Sequence, residues 1–341
     1  MTDERIAIDD RAFVLHVGMP KTGTTSIQFA MREHPDALAQ LGWTYSTVGR
    51  GERIHHLELI NALGFARGSD GVGETARDVA TRLRSEFDAN PRLIVSHESL
   101  CKFPLLGPDQ RSFVTELFRS FDPHVVLYVR RQDKWLESLY TQFVKRGRES
   151  RPIGEVADEF GQPYNGFATD YLDALDFFSG FVEGRSRLHV RVFDRSALVG
   201  GDAVPDFFSI LGFDPEDSPP PPELNPSLSP LAVNVVRRMS GDDHVSRELT
   251  AQDFETVARL IDRSVPDDVE SGPLLASSSR SALLDRCRPV NEAFLDRIAV
   301  PHGELLLENP TGGPEDGHED PDAVTRALWR ALASLYAHRK K

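Results

Sequence analysis

The stretch that most restricts how this chain can fold runs from Phe13 to Arg32, FVLHVGMPKTGTTSIQFAMR. A short apolar run, Phe13, Val14, Leu15 and Val17, breaks at Gly18 and Pro20. The chain then passes through Lys21, Thr22, Gly23, Thr24 and Thr25 and resumes at Ile27 with helical character. Strand, loop and helix in that order predict the opening unit of a parallel α/β sheet. A loop feeding a helix start presents free backbone N–H groups and a partial positive charge to an anion, and Gly23 lets the backbone come close. Thr24 and Thr25 add hydroxyl donors. His16 interrupts the strand and is expected to sit inside the sheet with its hydrogen bonds satisfied.

The loop resembles the phosphate-binding turn of nucleotide enzymes, and its departures are informative. Gly18 and Gly23 have the spacing of the two glycines in G-x-x-x-x-G-K-[ST], yet Thr24 stands where that motif needs its lysine. The lysine lies three residues earlier, at Lys21. P-loop NTPases also use an aspartate after a later strand to help hold magnesium. Here the best later strand, His124 to Val129, ends in Arg130-Arg131. A cationic strand end suits a second anion rather than a metal.

Pro20-Lys21-Thr22-Gly23-Thr24-Thr25 resembles the 5′-phosphosulfate loop of sulfotransferases that use 3′-phosphoadenosine 5′-phosphosulfate (PAPS). Arg130 followed eight residues later by Ser138, in YVRRQDKWLESLYTQF, is similar to that family's 3′-phosphate site. The resemblance covers roughly Phe13 to Gly212 and is strongest at these two motifs. It implies a P-loop-like parallel sheet flanked by helices. Lys21, Thr22, Gly23, Thr24, Thr25 and Ser26 would hold the phosphosulfate, and Arg130 and Ser138 the 3′-phosphate. The implied product is 3′-phosphoadenosine 5′-phosphate, with no metal required. Ser26 stands where a tryptophan commonly stacks on adenine, and Arg195 and Arg280 are candidates for the family's later basic segment. Lys21 is the implied stabiliser of the leaving phosphate. The base that accepts the acceptor's proton is His97 or Glu98, because both follow the apolar strand Arg92 to Ser96, where ligand groups of a parallel sheet collect. Adjacent residues at a strand end point opposite ways, so one of the two is expected to reach the acceptor, with Glu98 slightly favoured. Two other readings stay open: a P-loop kinase or NTPase using Mg-ATP, and a non-catalytic nucleotide-binding protein.

The 341 residues are long enough for one large α/β domain with appendages, and 40% are hydrophobic. A net charge of −14 sets the surface against nucleic acid and anionic membrane, so a polyanionic cofactor needs a local basic site. The two cysteines, Cys101 and Cys287, read as reduced structural thiols. The acidic N-terminus lacks a signal-peptide core, and no apolar run approaches the roughly 20 residues of a membrane span, so a cytoplasmic location is expected.

Residues 1–217 read as the cofactor-binding α/β core. Within it, His55-His56 open a helix and read as surface or helix-start residues, and Asp133 reads as the N-cap of a helix to about Arg146. Lys145-Arg146-Gly147-Arg148 form a basic run. From the four prolines at 219–222 onward, residues 218–308 read as a mostly helical extension of the same domain. Residues 309–341 read as an acidic linker and a final helix over Ala323–His338 that offers a surface for homo-oligomer contacts. The acceptor is expected to be a hydroxyl-bearing small molecule or sugar, and its identity is not encoded in any recognisable segment.

Overall fold

The computed structural model describes residues 11–65, 74–222, 227–264 and 273–310. The expected acidic linker and final helix lie outside the described residues, as does the N-terminal segment before Arg11. In chain order the elements are β1 (Ala12–His16), α1 (Thr24–Glu33), α2 (Pro35–Gln40), β2 (Thr44–Tyr45), α3 (Leu57–Ala62), α4 (Glu74–Ala89) and β3 (Arg92–Ser96). There follow α5 (Pro108–Arg119), β4 (His124–Val129), α6 (Gln132–Val144), α7 (Ile153–Asp158), α8 (Tyr171–Ser179), β5 (Leu188–Val192) and α9 (Ala203–Ile210). The chain continues with α10 (Pro230–Ser240), α11 (Asp243–Glu248), α12 (Ala251–Ser264) and α13 (Ser277–Arg297).

The chain forms two compact units with interleaved sequence. The first holds the sheet and is built from residues 1–131, 161–224 and 288–308. Its five strands are all parallel, in the order β2-β3-β1-β4-β5. Every residue of β1 and β4 is buried, as continuous apolar runs require of central strands covered on both faces. β5 alternates buried and half-buried residues, which suits its edge position. Alternate residues of β1 serve opposite faces. Val14 joins Ile27, Ala30 and Met31 of α1 and Phe207 and Phe208 of α9 in one core. Phe13, on the other face, stacks on Phe121 at 4.5 Å between centroids and meets Phe87 of α4 edge-on at 5.5 Å. The α/β class and the parallel sheet flanked by helices are as expected, and the helical region after the prolines is present.

The second unit comprises residues 132–160, 225–287 and 309–341, and its described part is helical. On α6 the expected stripe of Trp135, Leu136, Leu139, Tyr140, Phe143 and Val144 is buried. Asp133 is not the N-cap: it lies inside the first turn of α6, fully buried, and pairs with Arg280 at 2.5 Å. A second nitrogen of Arg280 reaches Glu137 at 2.8 Å. A carboxylate taken fully out of water needs a partner charge, and that requirement outweighs capping a helix end. Arg280 is therefore held between two carboxylates of α6. Lys145 of the basic run is likewise paired, with Glu255 at 2.8 Å.

Candidate functional site at the strand carboxyl ends

The chain leaves β1 toward the β2 side of the sheet and leaves β4 toward β5, so the topological switch point falls between β1 and β4. A crevice at the carboxyl ends of strands is the ligand position of an open α/β sheet. The Gly18–Gly23 loop and Arg130 both lie there. The loop is tied to β4 by Val17 N–H donating to Val126 O at 2.8 Å and Met19 N–H donating to Tyr128 O at 3.0 Å. Thr22 closes it internally, its hydroxyl donating to Met19 O at 2.6 Å.

Two backbone positions in the loop require special conformations. Lys21 has φ +70°, a left-handed setting that a side chain other than glycine adopts at a cost of about 1 kcal/mol. Gly23 has φ +79° and immediately precedes α1, and a Cβ there would come 2.5 Å from Cβ of Ala203. Glycine is thus demanded twice over, by the dihedral and by the close approach of α9. The amides of Thr24, Thr25 and Ser26 begin α1 and belong to the helix's unsatisfied first turn. Lys21 and Thr25 are exposed, whereas Thr22, Thr24 and Ser26 are buried. The Thr24 hydroxyl has no hydrogen-bond partner and lies beneath the loop near Gly18, not on its outer side.

Arg130 Nη1 donates to Lys21 O at 3.2 Å, and its guanidinium carbon lies 5.4 Å from the Phe193 ring centroid. Tyr171 holds the strand end from behind, its hydroxyl donating to Arg130 O. Arg131 turns elsewhere, to Glu308 at 3.6 Å. The two cationic residues singled out in the sequence therefore meet at one place. Ser138 lies half-buried on α6, in the second unit.

At the end of β3, His97 and Glu98 divide as strand-end neighbours should. His97 is buried, 3% exposed, and Glu98 is about one-third exposed, 31%. The Nδ1 of His97 accepts the Ser99 backbone N–H at 2.9 Å. In the neutral ring the proton must then be on Nε2, which is buried without a partner. Burial pushes the His97 pKa down to about 4, so the ring is neutral at pH 7. Its contact with Glu98, 3.6 Å from Nδ1 to Oε2, is therefore neither an ion pair nor a hydrogen bond. His97 can donate from Nε2 but offers no lone pair to an incoming proton, whereas the Glu98 carboxylate does. His55 stands beside them, its ring 5.0 Å from that of His97.

Ser96, the last residue of β3, is a junction that the sequence did not reveal. Its side chain takes a hydrogen bond from Gln28 Nε2 at 3.1 Å and meets His16 Nδ1 at 2.8 Å. Its backbone N–H donates to His56 Nδ1 at 3.3 Å, and His56 Nε2 reaches Ser46 O at 3.0 Å. His56 is thus not a surface residue. It is fully buried and bridges the ends of β2 and β3, with burial pushing its pKa down to about 3. His16 also departs from expectation: Nδ1 is satisfied, but Nε2 is buried with no partner. These contacts join residues up to 80 apart in sequence, and only the unusual number of histidines near the strand ends hinted at them. Among the described residues no three His, Cys, Asp or Glu side chains are grouped to hold a metal. No described helix is long and apolar enough to cross a membrane.

Comparison with known proteins gives little beyond this geometry. An uncharacterized protein of Archaeoglobus fulgidus is 36% identical over 124 residues, a span of 36% of this chain and 32% of that protein. The chain thus covers about a third of that relative's length. No family model and no solved structure matches.

Proposed function

We propose that this protein is a sulfotransferase with a P-loop-like cofactor site, moving the sulfuryl group of PAPS to a hydroxyl of a carbohydrate, glycolipid or small-molecule acceptor. The observation that carries the reading is the meeting of Arg130, at the end of β4, with the Lys21 loop that follows β1, the strand that lies between β4 and the strand that delivers Glu98. The loop amides from Thr22 to Ser26 and the Lys21 ammonium take the phosphosulfate, and Arg130 takes the 3′-phosphate. The part of Ser138 rests on the sequence resemblance alone. The acceptor oxygen attacks sulfur while its proton passes to the Glu98 carboxylate. The bond from sulfur to the bridging oxygen of the 5′-phosphate breaks in line, and its electron pair stays on that oxygen. Lys21 offsets the charge that grows there. His97, with Nδ1 held by Ser99 and Nε2 buried without a partner, supplies a neutral donor.

Thermal unfolding in the presence of 3′-phosphoadenosine 5′-phosphate, against Mg-ATP, tests the cofactor. A ligand at 100 times its Kd stabilises by about 2.7 kcal/mol, a readily measured rise in Tm. A rise with Mg-ATP and none with the bisphosphate would overturn the reading in favour of phosphoryl transfer. Transfer of radiolabelled sulfate from PAPS to hydroxyl acceptors in extracts tests the reaction, and its absence despite nucleotide binding would leave a non-catalytic binding protein.

A further inference from the structure

Three polar atoms past the end of β3 are buried without a hydrogen-bond partner in the protein: His97 Nε2, Glu98 Oε2 and His55 Nδ1. They belong to side chains that adjoin one another. Glu98 Oε2 lies 3.6 Å from His97 Nδ1, and the His55 and His97 rings are 5.0 Å apart between centroids. His97 is buried, whereas Glu98 and His55 are only partly so, and the cluster is therefore open to solvent on their side. Buried polar groups in proteins are nearly always paired, because an unpaired one costs free energy. Three of them on neighbouring residues are the arrangement of a site that a ligand completes.

The cluster is held in place from several directions. His97 is fixed by the Ser99 N–H on its Nδ1 at 2.9 Å. His55 stands between two anchored residues. The Tyr45 hydroxyl donates to Ile54 O at 2.6 Å, and the His56 ring bridges Ser46 O at 3.0 Å and the Ser96 N–H at 3.3 Å. The carbonyl of His55 itself accepts the N–H of Leu57, the first residue of α3, at 3.0 Å. The burial of His56 thus sets the backbone that presents His55, and a preformed arrangement keeps the ordering cost of binding low.

Counting hydrogen bonds gives the chemistry of the ligand. The cluster offers one carboxylate and two ring nitrogens. In the reaction proposed above, the attacking hydroxyl gives its hydrogen to Glu98 and needs one of its two lone pairs for sulfur. It can meet one ring nitrogen with the lone pair that remains, and no more. The other nitrogen stays unpaired unless the acceptor brings a second polar group beside the first. A phenol or a monohydric alcohol has none, whereas a sugar carries a hydroxyl on the neighbouring carbon.

We propose that His55 recognises a hydroxyl adjacent to the one that is sulfated, so that the acceptor is a molecule with a vicinal diol, such as a sugar, and His55 is the residue that selects it. The inference rests on the sulfuryl-transfer reading and narrows its acceptor. A site built to hydrogen-bond a hydroxyl rejects the analogue that lacks it, because the buried polar group of the site is then left unpaired.

Two measurements on the full-length protein test it. Transfer of radiolabelled sulfate from PAPS to a cell extract is followed before and after the extract is treated with periodate, which cleaves the carbon–carbon bond between adjacent hydroxyls, and the excess reagent destroyed. Transfer should be lost on treatment. Unchanged transfer overturns the inference and leaves the sulfuryl-transfer reading standing. The second measurement compares His55→Ala and His55→Asn with the wild type over serial dilutions of the untreated extract. In His55→Ala the amount of extract that gives the half-maximal rate should rise about tenfold, the worth of one hydrogen bond, while the rate at saturation and the affinity for 3′-phosphoadenosine 5′-phosphate stay within about threefold of wild type. His55→Asn, which keeps a hydrogen-bonding group, should recover most of the difference. A lower saturated rate at an unchanged half-maximal amount overturns the inference, and so does a loss of nucleotide affinity in His55→Ala, which would make the residue structural. Failure of the wild type to bind the nucleotide, or to transfer sulfate to the untreated extract, overturns the sulfuryl-transfer reading and this inference with it.

Discussion

Acidification should destabilise the sheet-bearing unit well before its carboxylates titrate, because its buried histidines are held neutral. Burial lowers His16 and His56 to about 3 and His97 to about 4, from an ordinary value of 6.5. Burial, reinforced by His189 and Arg187, lowers His124 to about 3. The sign follows from proton counting. Between the folded and the unfolded pKa the unfolded chain binds the proton and the native chain does not, so stability rises with pH there and falls on acidification. The contribution is complete above about pH 6.5, is lost progressively as pH falls, and levels off near 4 for His97 and near 3 for the others. Each such histidine costs about 1.2 kcal/mol between pH 7 and 5.5, so the four together cost about 5 kcal/mol, a large share of the roughly 5–15 kcal/mol of a typical domain. Trp43 is buried in this unit with its indole N–H on Leu211 O at 3.1 Å, and it serves as the reporter in a Trp135→Phe, Trp329→Phe background. Urea unfolding followed by its fluorescence should show a much lower midpoint at pH 5.5 than at pH 7. His16→Gln, which removes one titrating ring, should shrink the pH difference by about a quarter. An unchanged midpoint between the two pH values, or a His16→Gln difference equal to the parent's, would refute the assignment of neutral buried rings.

Two further outcomes concern the proposed chemistry. Glu98→Gln should lower sulfuryl transfer by about 100-fold or more with nucleotide affinity preserved, as loss of a general base does. His97→Asn, whose side-chain oxygen can still accept the Ser99 amide, should lose less activity than Glu98→Gln and keep the stability that His97→Ala forfeits, about 1 kcal/mol for a cap. An activity order with His97→Asn below Glu98→Gln reverses the roles. Lys21→Ala and Lys21→Gly should both lower turnover about 100-fold or more, but only the glycine variant should match or exceed wild type in Tm, because φ +70° no longer costs anything.

What could be read from the sequence was what backbone geometry dictates locally. The apolar runs of β1, β3 and β4, the loop between β1 and α1, and the placing of His97-Glu98 just past a strand all follow from short patterns of residue type. What could not be read was set by burial and by partners far along the chain. Asp133 looked like a helix cap because nothing near it in sequence announces Arg280. His56 does stand at the start of α3, as read, but its burial could not be seen, because the carbonyl of Ser46 and the amide of Ser96 come to it only when β2 and β3 pair in register. The tautomer of His97 was similarly closed to sequence reasoning, since it turns on one backbone amide, that of Ser99, occupying one ring nitrogen.

The same features explain how the proposed anion site could be furnished with so many imidazoles and yet not draw its charge from them. Three of the rings around the strand ends, His16, His56 and His97, are buried deeply enough to be neutral at pH 7. They act as fixed dipoles, His56 with both nitrogens on backbone groups, His16 with Nδ1 on Ser96 and His97 with Nδ1 on the Ser99 amide. Positive charge is instead carried where water can still reach it, on exposed Lys21 and half-buried Arg130, together with the start of α1. If the proposed anion binds, such a division would let the frame beneath it stay the same whether or not it is present, while the screened charges above it gain and lose it. It also assigns different failures to the two layers: loss of a rim charge should weaken binding in a salt-dependent way, and loss of a buried ring should do so at every ionic strength.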